Sequence, residues 1–488
     1  MRLAFPGWRP VGAAFALGAV MATGQAPLGW WFLTLPALAG LLHYIAKGSA
    51  RRAAWLGWFA GAGYFGLALN WIISPFLVDA ARDGWMAPFA LLFMAFGLAL
   101  FWAAACGIGL RARRPLVGVV AALAAAELLR GYVLTGFPWA LIGHVWIDTP
   151  PVQLAALIGP SGLTLLTLAV AGLAATLRPV QVAAAAATLA AMWGFGLWQL
   201  SQPAPPATGL TLRLVQPNAP QDAKWDPGHA QFFFDRLMAA TSAPARVDLV
   251  IWPETALPYL VADNPGLPVM IGAAGHGAPV AVGLQRVEGT RGWNSLQVFA
   301  PDGATMASYD KHHLVPFGEY IPFGDAAFDW FGLEAFAART GNAYSAGPGP
   351  AVLDLGRLGQ VVPLICYEAV FPQDLRTATR PGWLLQITND AWFGTLSGPF
   401  QHAAQARLRA VEQGLPLARV ANTGVTEMVD ARGRVTVALP FGTDGFVDAA
   451  LPGALPATPY ARFGEIPVLL LLAGCAALAM FRRRSPTA

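Results

Sequence analysis

Long uncharged apolar runs fill residues 10–200 and 466–481, whereas nearly all Asp and Glu fall between 222 and 465. A helix needs roughly 20 apolar residues to cross a bilayer, and eight candidate segments present themselves, at 10–24, 29–45, 53–78, 86–110, 115–130, 152–177, 180–200 and 466–481. The first two are short. The pattern predicts a membrane α-helical bundle of eight transmembrane helices, seven within 1–200 and one within 463–488, carrying a polar domain at 210–462. SQPAPPATG at 201–209 reads as a Pro-rich linker between the two.

Beyond the linker the period changes. LTLRLVQPN (210–218), DLVIWPE (248–254), APVAVGLQRV (278–287), NSLQVFAPDG (294–303), GQVVPLICYE (359–368) and LLQITND (384–390) are β-rich runs closed by turn or polar residues. FQHAAQARLRAVEQG (400–414) has helical spacing and stops at Gly414 before Pro416, and TEMVDARGRVTVALP (426–440) reads as a hairpin turning at Arg432-Gly433. Strands interleaved with helices predict an α/β layered sandwich.

Composition supports lipid contact, since 56% of the 488 residues are apolar and 12% charged, against roughly 25% charged in an ordinary soluble domain. The net charge of +4 does not indicate nucleic acid, because Lys and Arg sit mainly at the ends of apolar runs, where they orient helices. Arg2 and Arg9 precede the first run, Lys47, Arg51 and Arg52 follow the second, and Arg111, Arg113 and Arg114 follow the fourth. Arg178 lies between the sixth and seventh, and Arg482, Arg483 and Arg484 follow the eighth. If all eight segments span, every cluster falls on one side, which places both termini in the cytoplasm and the polar domain outside it. Reading residues 1–25 as a cleaved signal peptide leaves that domain on the same side. Glu127, Arg130 and FPWALIGHVW (137–146) are read as interfacial anchors and satisfied polar groups.

Three cysteines are present, and Cys366 alone lies outside the apolar segments, so it is either a buried filler or a nucleophile. It follows the apolar run VVPLI, at a strand exit, which is where α/β folds carry chemistry. Glu254 in WPETALP and Lys311 in YDKHHLVPFGEYIP also sit where strands end. A carboxylate in a dry pocket can deprotonate a thiol, and a Lys can stabilise the oxyanion of a tetrahedral intermediate together with the backbone N–H of Tyr367. Each residue also has an ordinary structural role open to it: core filler, surface cap, solvated Lys. No metal-ligand cluster is expected, because adjacent His312 and His313 suit neither helical nor strand ligand spacing.

WPE, YDKHHLVPFGEYIP and ICYE follow one another about 55 residues apart, and their order resembles the Glu-Lys-Cys order of the nitrilase superfamily, whose fold is an αββα sandwich. Among its branches, the eight-helix topology, the external domain and the string HLVPFGEYIP resemble the apolipoprotein N-acyltransferases. The resemblance covers essentially the whole chain. It implies Glu254 as general base, Lys311 as oxyanion stabiliser and Cys366 as nucleophile. It further implies Glu319 as an acidic support of Lys311, Tyr367 and Glu368 as shapers of the pocket, and Trp225 as a residue on a loop over the site. Asn389, Trp392 and Asn294 are supporting candidates. The implied reaction is a ping-pong acyl transfer from a phospholipid donor, through a Cys366 thioester, to the α-amino group of a diacylglyceryl-apolipoprotein, without metal or organic cofactor.

The stretch PFGEYIPFGDAAFDWFGLEAF (316–336) is rich in aromatic and apolar residues for an external loop. It suits a lid that dips into membrane lipid, with Phe328, Trp330 and Phe331 at its tip, although it could also pack on its own domain. Two other functions fit the domain pattern. A membrane-anchored amidase would use the same three residues on a small C–N substrate but has no need of a multi-helix bundle. A transporter or receptor would carry polar residues deep in the helices, and these are nearly absent. A monomer is expected.

Overall fold

The computed structural model of the chain describes residues 5–221, 223, 224, 226–321, 344–377 and 379–481. It divides into two compact units. The first comprises 1–202, 396–404 and 458–488, and the second 203–395 and 405–457.

In the first unit, helices form at Trp8–Ala22, Trp31–Ala46, Ala50–Ala68, Ala87–Gly109, Pro115–Arg130, Ala155–Ala175, Pro179–Ser201 and Ile466–Met480. All eight expected segments are thus helical, but not all are long enough to span. Three stretches have the length and hydropathy of a membrane span, Ala80–Gly109, Pro150–Ala175 and Pro179–Ser201. Ala50–Ala68 with Asn70–Leu77, bent by 49°, is a fourth if the pair is one span. Trp8–Ala22, Trp31–Ala46 and Ile466–Met480 have 15, 16 and 15 residues, and at about 1.5 Å per residue they fall short of a hydrocarbon layer about 30 Å thick. The described helices therefore give three or four spans of full length where the apolar pattern predicts eight.

Small residues let these helices approach closely. A Cβ on Gly18 would lie 1.9 Å from the carbonyl oxygen of Ala60, and one on Gly63 would lie 2.1 Å from that of Phe15, so backbone meets backbone where larger side chains would hold the helices apart. Glu127 and Arg130 are deeper than an interfacial anchor: both are buried, 2.8 Å apart, and Glu127 also accepts from Trp102 Nε1 at 2.7 Å. The segment 396–404 is fastened within this unit by Gln401, which accepts from Trp139 Nε1 at 2.7 Å and donates to the Ala68 carbonyl at 3.0 Å.

The second unit is a sandwich of two six-stranded sheets. Its strands are β1 (Thr211–Gln216), β2 (Leu249–Ile251), β3 (Val280–Glu288), β4 (Arg291–Phe299), β5 (Thr305–Asp310), β6 (Leu353–Asp354), β7 (Gln360–Ile365), β8 (Trp383–Thr388), β9 (Leu417–Ala421), β10 (Thr426–Val429), β11 (Val435–Leu439) and β12 (Gly445–Ala450). One sheet has the order β12-β1-β2-β3-β4-β5 and the other β11-β10-β9-β8-β7-β6. At the centre of each, three strands are parallel, β1-β2-β3 and β7-β8-β9. β2, β8 and β9 are buried along their whole length, which is why they read as unbroken apolar runs. Val280, Val282 and Leu284 alternate along β3 and pack with Phe234, Leu237 and Ile271 from the helices Pro227–Thr241 and Leu267–Ala274. On the other sheet Val362 and Leu364 of β7 pack with Ala406 and Ala410 of the helix Gly398–Gln413. With β1 against β9 and β4 against β7, the layers run helix, sheet, sheet, helix.

Candidate active site

Three strand exits converge in the second unit. Past β2, Glu254 and Thr255 form a turn in which Thr255 has φ +45°, a left-handed backbone that a β-branched residue adopts only under constraint. Gly283 of β3 makes room for it, because a Cβ there would lie 2.1 Å from the Pro253 carbonyl oxygen and 2.7 Å from the Glu254 Cα. Lys311 follows β5 directly, its N–H donating to the Asn294 carbonyl at 2.9 Å. Cys366 follows β7 and opens a short 3-10 turn, Cys366–Val370. Its φ of +53° turns the chain sharply at the nucleophile candidate, a strained position of the kind found at functional sites.

The carboxylate of Glu254 is held at both oxygens. Oε1 accepts from Asn294 Nδ2 at 2.7 Å and lies 3.7 Å from Lys311 Nζ, while Oε2 accepts the Asn389 N–H at 2.7 Å. Lys311 Nζ is 2.8 Å from Glu319 Oε2, and Asn294 Nδ2 also reaches Glu319 Oε1 at 3.2 Å. All four side chains are buried.

Burial pushes the Cys366 thiol well above the ordinary thiol range. The charge of Glu254 adds to this, while Lys311 and a hydrogen bond with Thr388 pull the other way. Burial lowers the pKa of Lys311, but Glu319 and Glu254 outweigh it and raise the ammonium above the usual lysine range. The resting site therefore holds a thiol, a fixed cation, and a carboxylate whose charge acts on both.

Glu368 ties the Lys311 segment to the Cys366 turn. Completely buried, it accepts from Tyr309 Oη at 2.8 Å, from the N–H groups of His312 at 2.8 Å and His313 at 3.2 Å, and from the Ile365 N–H at 2.7 Å. It thus fixes the turn from behind. Tyr367 stands edge-on to Phe371 and His313. Asn389 bonds Gln221 at 2.7 Å and accepts from Asn422 Nδ2 at 2.9 Å, so its side chain braces the backbone N–H that meets Glu254. Trp392 is partly exposed. Trp225 lies outside the described residues, as do residues 322–336 of the aromatic stretch, with Phe328, Trp330 and Phe331; within its described part Phe317 is 53% exposed.

Sequence reasoning passed over Lys224, Thr388, Tyr309 and Gln386. Gln386 Nε2 donates to the Cys366 carbonyl at 3.1 Å. Lys224 is a buried amine beside the Glu254 turn, and a lysine three residues before the start of a helix gives no sign of burial. The adjacent histidines also differ from expectation. Asp374, from a distant segment, lies 3.3 Å from His312 Nε2 and 3.0 Å from His313 Nδ1, and the three offer ligand atoms within 4.8 Å of one another. Spacing along the chain could not reveal this, because the third member arrives through the fold.

Two family models match the chain: the apolipoprotein N-acyltransferase N-terminal domain over residues 17–173 and the carbon-nitrogen hydrolase domain over residues 211–460. An apolipoprotein N-acyltransferase from Caulobacter vibrioides is 40% identical over 95% of this chain and 93% of that protein. The chain belongs to the apolipoprotein N-acyltransferase family. A second member, from Rhodopseudomonas palustris, is 36% identical over 98% of this chain and 96% of its own length. A solved carbon-nitrogen hydrolase superfamily protein from Xanthomonas campestris is 21% identical, covering 54% of this chain and 96% of that one, with a TM-score of 0.37. In this membrane-associated family the hydrolase-type sandwich described above follows a helical region containing several apolar helices.

Proposed function

We propose that the chain transfers a fatty acyl group from a phospholipid to the α-amino group of a diacylglyceryl-modified N-terminal cysteine on lipoproteins, in two half-reactions through Cys366. The observation that carries this reading is the buried carboxylate of Glu254, held by Asn294, Asn389 and Lys311, with its charge and that of Lys311 both acting on the Cys366 thiol.

In the first half-reaction Cys366 Sγ attacks the ester carbonyl carbon as Glu254 takes the thiol proton. Lys311 and the Tyr367 N–H stabilise the oxyanion. The ester C–O bond then breaks, and Glu254 returns the proton to the leaving lysophospholipid hydroxyl. In the second, the lipoprotein amine attacks the thioester, an amide forms as the C–S bond breaks, and Glu254 carries the amine proton to the sulfur. Glu254 thus takes up and returns a proton once in each half-reaction, twice per cycle. No step calls for a metal or cofactor.

Spanning by all eight apolar helices, with the sandwich on the non-cytoplasmic side and both termini inside, follows the Lys and Arg clusters at residues 47–52, 111–114 and 178. The shorter helices would be matched by local thinning or by residues reaching toward the interface. The domain limits are then 1–200, 201–209, 210–462 and 463–488.

The test is stoichiometry. Protein reconstituted in phosphatidylethanolamine vesicles and given a diacylglyceryl-cysteinyl peptide should produce N-acylated peptide and lysophospholipid in equal amounts. Phospholipid consumed with release of free fatty acid and no acylated peptide would instead mark a hydrolase.

A further inference from the structure

Thr255 keeps its left-handed backbone immediately after Glu254, and something must hold that turn. Lys224 Nζ donates to the carbonyl oxygen of Glu254 at 3.1 Å and to Thr255 Oγ1 at 2.7 Å. One amine thereby grips both residues of the turn from a segment 30 positions upstream. The lysine itself is 3% exposed, a costly placement that is compensated only if its hydrogen bonds are made.

We propose that Lys224 is a positioning residue for catalysis, clamping the Glu254–Thr255 turn so that the Glu254 carboxylate stays aimed at Cys366. This rests on the acyl-transfer reading of Glu254 and Cys366. The clamp works at the backbone, which leaves both carboxylate oxygens to Asn294, Asn389 and Lys311. Burial outweighs the opposing pull of Glu254 and Cys366 and leaves the Lys224 amine at about 7, so the amine lies within electrostatic reach of both reacting groups. Charged or neutral, it keeps N–H groups to donate.

The test follows the rate of Cys366 thioester formation from phosphatidylethanolamine in mixed micelles, with melting temperature measured alongside. Lys224→Met should lower the saturating rate at least tenfold and leave the half-saturating lipid concentration unchanged, because the clamp touches no substrate. Thr255→Val, which keeps the shape and loses the hydroxyl, should lose several-fold, and Thr255→Ser should match wild type. That pair decides the question even if Lys224→Met fails to fold. A wild-type rate in folded Lys224→Met or in Thr255→Val overturns the proposal, as does an equal loss in Thr255→Ser and Thr255→Val. Wild type and Glu254→Gln in the same assay separate the two levels: if wild type forms no thioester, or Glu254→Gln forms it at the wild-type rate, the acyl-transfer reading fails, and if Glu254→Gln is inactive while Lys224→Met is normal, only the clamp fails.

Discussion

The Nζ of Lys311 lies 2.8 Å from a carboxylate oxygen of Glu319, both side chains being almost wholly removed from solvent. The same carboxylate accepts the Val315 N–H at 2.8 Å, so it anchors the ammonium to the backbone of its own loop. Glu254, 3.7 Å from Nζ, then need not neutralise Lys311 alone, and on the proposed acyl-transfer reading it takes and returns a proton while the cation stays in place. Glu319→Gln should accordingly lower acyl transfer by about a hundredfold, as loss of a preorganised oxyanion group does, with substrate affinity little changed. The split between kcat and KM on a purified variant checks this.

Glu368 gathers donors from Tyr309, His312, His313 and Ile365. An Ala at this position leaves several buried donors unsatisfied, at about 1–3 kcal/mol each. Glu368→Ala should therefore lower the melting temperature in detergent by many degrees as well as abolish turnover. An unchanged melting temperature would show that the Cys366 turn holds without it.

His312 gives a pH signature. Burial alone would lower its pKa, but hydrogen bonds to Asp374 and Glu368 and their charges raise it to about 9, against roughly 6.5 in the unfolded chain. A raised folded-state value stabilises fully below the unfolded one, and the contribution fades as pH rises through the folded one. Stability should fall between pH 6.5 and 9 by roughly 3 kcal/mol on this account, and His312→Asn should flatten the slope. Thermal melts at a series of pH values read it directly.

Cys366 makes an unexpected prediction. Burial and the charge of Glu254 both raise its pKa, so removing that charge should lower it. In Glu254→Gln the pH midpoint for alkylation of Cys366 by iodoacetamide should move down even as acyl transfer is lost. A midpoint that stays or rises would mean that the two groups do not sense each other.

What could be read beforehand follows from how each signal is encoded. The buried central strands β2, β8 and β9 and the helix Gly398–Gln413 were legible because burial on both faces or along one stripe writes itself into local periodicity. Glu254, Lys311 and Cys366 were legible as strand-end residues in ordered motifs. Lys224 was not, since its burial is decided by a turn 30 residues away, and neither was the meeting of Asp374 with His312 and His313. β5 separated from β4 at the turn 300–304, inside what read as the end of one run. In the helical region apolar composition located the helices correctly, and runs such as 10–24 and 466–481 were already about as short as the helices Trp8–Ala22 and Ile466–Met480 that they form, because hydrophobicity by itself does not set how much of a bilayer a helix crosses.

The central claim is that Cys366 carries the acyl group, and intact-mass spectrometry of the purified protein after incubation with phospholipid tests it most directly. Wild type should gain the mass of one fatty acyl chain, removable by hydroxylamine, and Cys366→Ser should show no such labile adduct. Absence of the adduct on wild type, or the same hydroxylamine-labile adduct on Cys366→Ser, would contradict the account.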